Sequence, residues 1–152
     1  MSTPSSHDQV ANTLNRFMNC FDLKDWGQMA QLLEDRIQID YADLRGGAPG
    51  EVPADEYVRK RSDALQSLST HHQLTNLDIA VSDDTASAAA SSMIHRRQGG
   101  KFFNSHAFYR FRLRLSGGAW RICAISQRIL WNEGDPGIHA GARAGAAQQG
   151  GK

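Results

Sequence analysis

Residues 71 to 76 read HHQLTN, two adjacent imidazoles at the entry to a segment of strand-like alternation. Histidine has the unperturbed pKa nearest neutral pH, so it can take a proton from one atom of a substrate and return it to another. Successive strand side chains point to opposite faces, so His71 and His72 cannot serve the same cavity. A third histidine, His95, stands in MIHRR, where Met93 and His95 share one face and Ile94 and Arg96 the other. His106 falls on a face with Asn104, Arg110, Arg112 and Arg114, which reads as the outside of a sheet or a subunit contact. Cys20 and Cys123 lack the close spacing of a zinc or redox pair and read as reduced packing residues.

The elements that must position these groups follow from periodicity. SHDQVANTLNRFMNCF places Val10, Leu14, Phe17, Met18 and Phe21 on one helical face, with Ser6 and Gln9 spaced as a capping box. Asp25 and Gln28 announce a second, shorter helix with Trp26, Met29, Leu32 and Leu33 as its apolar side. RIQIDYADL alternates as a short strand, residues 45–52 read as a loop, and Pro53 opens a third helix burying Tyr57, Val58, the stem of Arg61, Leu65 and Leu68. From residue 71 the period changes to two, giving long strands at 71–81, 86–97, 101–115 and 119–131. In the first, Leu77, Ile79 and Val81 fall opposite His72, Leu74 and Asn76; in the third, Phe103, Ala107, Tyr109, Phe111, Leu113 and Leu115 form the apolar face. The connections SDDT, QGG and SGG suit antiparallel hairpins. Helices followed by a meander predict an α+β domain over residues 1–135, with helices on one face of a curved antiparallel sheet. Residues 136–152 are too poor in large apolar side chains to bury themselves and read as a flexible tail.

The chain has 152 residues, long enough for one core that also encloses a small-molecule cavity. Its 17 Lys and Arg against 16 Asp and Glu leave no net field to recruit nucleic acid or an anionic membrane. MSTPSSHDQ lacks a signal-peptide pattern and no stretch approaches a membrane span, so a cytoplasmic protein is expected.

The run FDLKDWGQMAQLLEDRIQIDY, then VPADEYV, THH, MIHRR and AWRICAISQRILWNEGD, resembles scytalone dehydratase and its bacterial relatives in the SnoaL-like, NTF2-like superfamily, over about residues 8–135. Its most specific parts are D-x-K-D-W, the following I-D-Y and the order of two strand histidines. The resemblance implies a cone of strongly curved antiparallel sheet with three N-terminal helices enclosing an apolar pocket, and metal-free, cofactor-free dehydration of a bicyclic hydroxy ketone. It places the acidic pocket residue at Asp22, the pocket histidines at His72 and His95, and one pocket tyrosine at Tyr41. Phe21, Trp26, Asn76, Ala107 and Tyr109 fall at substrate-contacting positions. Phe21 stands where the fungal enzymes carry tyrosine, and Ala107 and Tyr109 where they carry serine and asparagine, so a different natural substrate is implied. RILWNEGD resembles the segment leading into a C-terminal lid. The family implies a trimer and the wider superfamily often a dimer, with the arginine face as the candidate contact.

Eliminating water from a β-hydroxy ketone requires a base for the α-proton, a donor to the developing enolate and an acid for the departing hydroxyl. His72 is assigned the shuttled proton, Asp22 the orientation of its imidazole, Tyr41 the ketone oxygen, and His95 a second polar wall. Asp22, His72 and His95 also have the ligand types of a facial metal triad, but no tight spacing links them. Ketone isomerisation or polyketide cyclisation would use the same base, and a non-catalytic ligand-binding domain would fit the loss of polar groups at Phe21 and Ala107.

Overall fold

The computed structural model describes residues 2–41 and 49–139. The first helix, α1 (Ser6–Leu23), buries the predicted stripe Val10, Leu14, Phe17, Met18 and Phe21. Its cap is Ser5, one residue earlier than the Ser6 and Gln9 pairing. Ser5 Oγ accepts the Asp8 N–H at 3.1 Å and donates to the Asp8 carboxylate at 2.9 Å, so the acidic partner fixes the start. Asp25 caps α2 (Trp26–Gln31) by accepting the Gln28 N–H at 3.1 Å, as its spacing predicts. Pro53 precedes α3 (Ala54–Leu65), which buries Tyr57, Val58, Arg61 and Leu65.

The strands are β1 (Leu33–Asp40), β2 (Gly50–Pro53), β3 (Ser69–Ser82), β4 (Thr85–Gln98), β5 (Lys101–Ser116) and β6 (Ala119–Gly134). They form one six-stranded sheet in the order β2-β1-β6-β5-β4-β3. The expected antiparallel meander is β3 through β6, joined by hairpins; at the last of these Gly117 and Gly118 take φ of 59° and 80°, the handedness a two-residue turn demands. Two features depart from expectation. β1 joins the sheet parallel to β6, and part of the expected loop at 45–52 is β2, antiparallel to β1. Both pairings are non-local, and short-range periodicity cannot register them.

Apolar side chains of α1 and α3 pack on the inner face of the sheet. Phe17 meets Phe111 edge to face at 6.4 Å between centroids, and both are fully buried. Along β5 the alternation holds: Phe103, Ala107, Tyr109, Phe111 and Leu113 are buried and Arg110, Arg112 and Arg114 are exposed. β3 breaks it. Between Thr75 and Asp78 the register shifts, and Asn76 adopts φ of 53°. This bulge returns Leu77 and Ile79 to the face already used by His72 and Leu74, correcting the parity read from the sequence.

Gly134 ends β6 with φ of 101° beside the Phe102 carbonyl, which accepts the Asp135 N–H at 2.9 Å; a Cβ there would collide with that carbonyl. The chain then turns inward. Within the helical turn at residues 137–139 Ile138 is buried in the core, so this part of the expected tail is docked, while residues 140–152 lie outside the described ones.

Candidate active site

Asp22 sits in the last turn of α1, where the helix dipole disfavours a negative charge. Three donors on β3 offset this. Asp22 Oδ1 accepts from Thr70 Oγ1 at 3.0 Å and lies 2.7 Å from His72 Nδ1, while Oδ2 accepts the His72 backbone N–H at 2.8 Å. Because an ionised carboxylate only accepts, Nδ1 carries the proton and Nε2 carries the lone pair. The positive-φ residue Lys24 ends the helix directly afterwards, its backbone N–H bonded to the Cys20 carbonyl, and its ammonium reaches the Gln66 carbonyl at 3.1 Å. Helix and strand are thereby fixed at the one point where their side chains must meet.

His72 is almost completely buried. Phe21 stacks on its ring at 4.6 Å between centroids, and Trp26 packs edge-on against Phe21 from behind. Burial pushes the imidazole below its ordinary pKa; the Asp22 hydrogen bond and charge oppose this, and the positive charges of Arg96 and His71 reinforce it. The resting form is a neutral imidazole held in one tautomer, which is the form a general base requires.

The small cavity in front of this ring, about 50 Å³, is lined by Phe21, Tyr41, Arg61, His72, Ile94, Arg96, Tyr109, Gln127 and His139, with Ala64 and Leu65. Tyr41 and Tyr57 share a hydroxyl-to-hydroxyl hydrogen bond of 2.8 Å and stack at 6.2 Å. Arg61 lies over both rings, at 5.2 Å from Tyr57 and 5.7 Å from Tyr41. Opposite, the Gln127 amide donates to the Tyr109 hydroxyl at 2.7 Å. Arg96 donates to Ser105 Oγ at 2.9 Å, and Ser105 donates to the Asn132 side chain at 2.7 Å. His139, against Phe103, closes one wall.

Of the residues singled out in the sequence, the structure brings together Phe21, Asp22, Tyr41, His72 and Tyr109. The others lie elsewhere. His95 is on the outer face, paired across the strands with His71 at 6.3 Å between rings; β4 turns Ser92, Ile94 and Arg96 inward, and the partner directly opposite His72 is Ile94. His95 therefore cannot join Asp22 and His72 in a pocket or a metal triad. Asn76 is spent on the β3 bulge and is exposed. Ala107 is core, and Trp26 supports the lining without joining it. Arg61, Tyr57, Arg96, Gln127 and His139 are the additions. Alternation already placed Arg96 with Ile94, and helical spacing already placed Arg61 on the buried side of α3.

Cone-shaped α+β domains of the NTF2-like fold enclose such a pocket between helices and sheet, and this is that fold. The chain belongs to the SnoaL-like family, whose domain profile matches residues 3–126. A scytalone dehydratase-like protein of Claviceps purpurea (strain 20.1) is 36% identical over 58 residues, a segment covering 37% of this chain and 37% of that protein. The Kfla4162 protein from Kribbella flavida superposes with a TM-score of 0.80 at 18% identity, over 84% of this chain and 92% of that one. The hexachlorocyclohexane dehydrochlorinase LinA type 2 does so with a TM-score of 0.73 at 16% identity, over 88% and 91%. At such identities the structural likeness is one of fold. Among the described residues no helix is long and apolar enough to cross a membrane.

Proposed function

We propose that this pocket catalyses cofactor-free elimination of water from a small cyclic or aromatic hydroxy ketone, with His72 as the base. The observation that supports it is the buried Asp22–His72 pair, 2.7 Å apart, with the imidazole at the cavity wall. His72 Nε2 takes the α-proton, and the electrons of that C–H bond move into the enolate. Tyr41, backed by the Tyr57 hydroxyl, donates to the enolate oxygen. As the carbonyl re-forms, the new C=C bond expels the β-hydroxyl, which leaves as water with the proton from the His72 imidazolium. Asp22 stays ionised, holding the tautomer and stabilising the transient cation. The Claviceps relative is named for a dehydratase and LinA for a dehydrochlorinase, and both names denote eliminations, the reaction class proposed for this pocket. The cavity is smaller than a bicyclic ketone, and the 137–139 turn carrying Ile138 and His139 is the wall that would part to admit one.

The test is proton NMR in D2O with a tetralone-type hydroxy ketone, comparing wild type with His72→Ala without added metal. Loss of α-proton signal and of water should be catalysed by the wild type and fall by about 10²–10⁴-fold in the variant. Exchange without water loss points to isomerisation or cyclisation on the same base. No acceleration across a panel of cyclic ketones removes the enolisation chemistry and leaves a ligand-binding domain.

A further inference from the structure

Arg61 is 7% exposed, and among the described residues it makes no hydrogen bond or ion pair; its Nε is a buried donor with no acceptor. Buried guanidinium groups ordinarily find a carboxylate, because removing an unpaired charge from water is costly. Stacking on Tyr41 and Tyr57 occupies the face of the guanidinium and leaves its N–H edge unspent. The same lining holds a second guanidinium, Arg96, only 4% exposed, whose charge reaches His72. Among the described residues lining the cavity none is acidic, and Asp22, behind His72, is fully engaged by its three β3 donors.

A pocket built for a neutral ketone has no use for this. Hydroxyl and amide donors orient a carbonyl without the desolvation cost of buried cations, and Tyr41, Tyr109 and Gln127 already supply them. We propose that the pocket takes an anionic substrate, a cyclic or aromatic compound bearing a carboxylate, and that the N–H edge of Arg61 is the carboxylate's seat. This names the substrate class of the site proposed above and depends on that reading for the site alone. The carboxylate satisfies the orphaned donors of Arg61 in a charge-assisted, two-pronged contact, and it fixes the ring so that its reacting carbon lies toward His72. Lysine at position 61 would keep the charge but lose the planar fork.

Benzoate and benzamide are the probes, equal in shape and different in charge, titrated into the wild-type protein by isothermal calorimetry at neutral pH. Benzoate should bind at least about tenfold more tightly. Arg61→Met should abolish that preference while leaving benzamide affinity within about twofold, and Arg61→Lys should retain only part of it. Equal affinities in the wild type, or no benzoate binding up to about 10 mM, overturn the inference and leave Arg61 a stacking partner of Tyr41 and Tyr57 alone. The wild-type ratio stands even if a variant fails to fold. Loss of ketone turnover with the benzoate preference intact removes the elimination reading and keeps the anion seat; the reverse result removes only the seat.

Discussion

Both carboxylate oxygens of Asp22 are committed to His72: Oδ1 to the ring Nδ1 at 2.7 Å and Oδ2 to the backbone N–H at 2.8 Å, across 50 residues of chain. One side chain thus fixes the strand and the imidazole it carries. Asp22→Asn keeps the shape and replaces one acceptor by a donor. An amide that still accepts the backbone N–H must present its NH₂ to Nδ1, which moves the ring proton to Nε2 and silences the base. Enolisation should fall by about 10³–10⁴-fold with little change in substrate affinity. Stability to urea should drop by about 1–3 kcal/mol from the lost charge-assisted bonds. An Asn variant retaining more than a tenth of wild-type turnover would remove Asp22 from the catalytic unit.

The burial of His72 has a pH signature. Its folded pKa is lowered, so below the ordinary value of about 6.5 the unfolded chain binds a proton that the native protein resists. Stability contributed at this position is level above about 6.5, falls as pH drops toward the native pKa, and is level again beneath it. Comparing wild type with His72→Gln in urea at about pH 5.5 and about pH 7.5 isolates that slope. The acidic limb of kcat/KM for ketone enolisation should likewise lie below about 6.5. A limb above it would mean that Asp22 outweighs burial and that the resting ring is already charged.

His95 provides the control for the geometry. It shares the outer face with His71, so His95→Ala should leave enolisation within about twofold and stability within about 0.5 kcal/mol. A collapse of turnover comparable to that of His72→Ala would show that both histidines act together and that the β4 facing is wrong.

These placements mark how far the sequence could be read. α1, its buried stripe and the long strands were legible because helical and two-residue periods are local properties of apolar side chains. Asp22, Tyr41 and His72 came from motif resemblance, and their convergence needed a helix end, a strand and the segment after β1 to meet, which no spacing predicts. The facing of His95 was available from Met93 and Ile94, but the resemblance drew both histidines to one pocket. Helix spacing buries the stem of Arg61 and alternation turns Arg96 inward, yet neither is legible as a pocket residue, because charged groups are expected to reach solvent. The β3 bulge left only a faint trace: Asn76, one of the few residues that tolerates a left-handed backbone, between two leucines three apart. His139 left none, since it lies in a stretch whose composition argued against burial.

The arginine column on the outer face yields the last expectation, that of assembly. Asp78, Ala89 and Arg110 lie in one row across β3, β4 and β5, on a groove of about 450 Å³ that also includes Arg112, Ser87 and Ala80. Arg110 and Asp78 are two strand spacings apart, about 10 Å. A two-fold axis running along β4 would carry Arg110 of one copy over Asp78 of the other and the reverse, an isologous contact with Ala89 and Ser87 small enough at the axis for close approach. A dimer through this face is therefore expected by sedimentation analysis well above micromolar concentration. Arg110→Asp should dissociate it by setting like charges opposite one another, and the double exchange Arg110→Asp with Asp78→Arg should restore it. Buried carbons alone would not distinguish the single from the double variant, so rescue isolates the charge pair. A wild-type monomer, or a single variant that remains dimeric, would show that the column serves another partner or none.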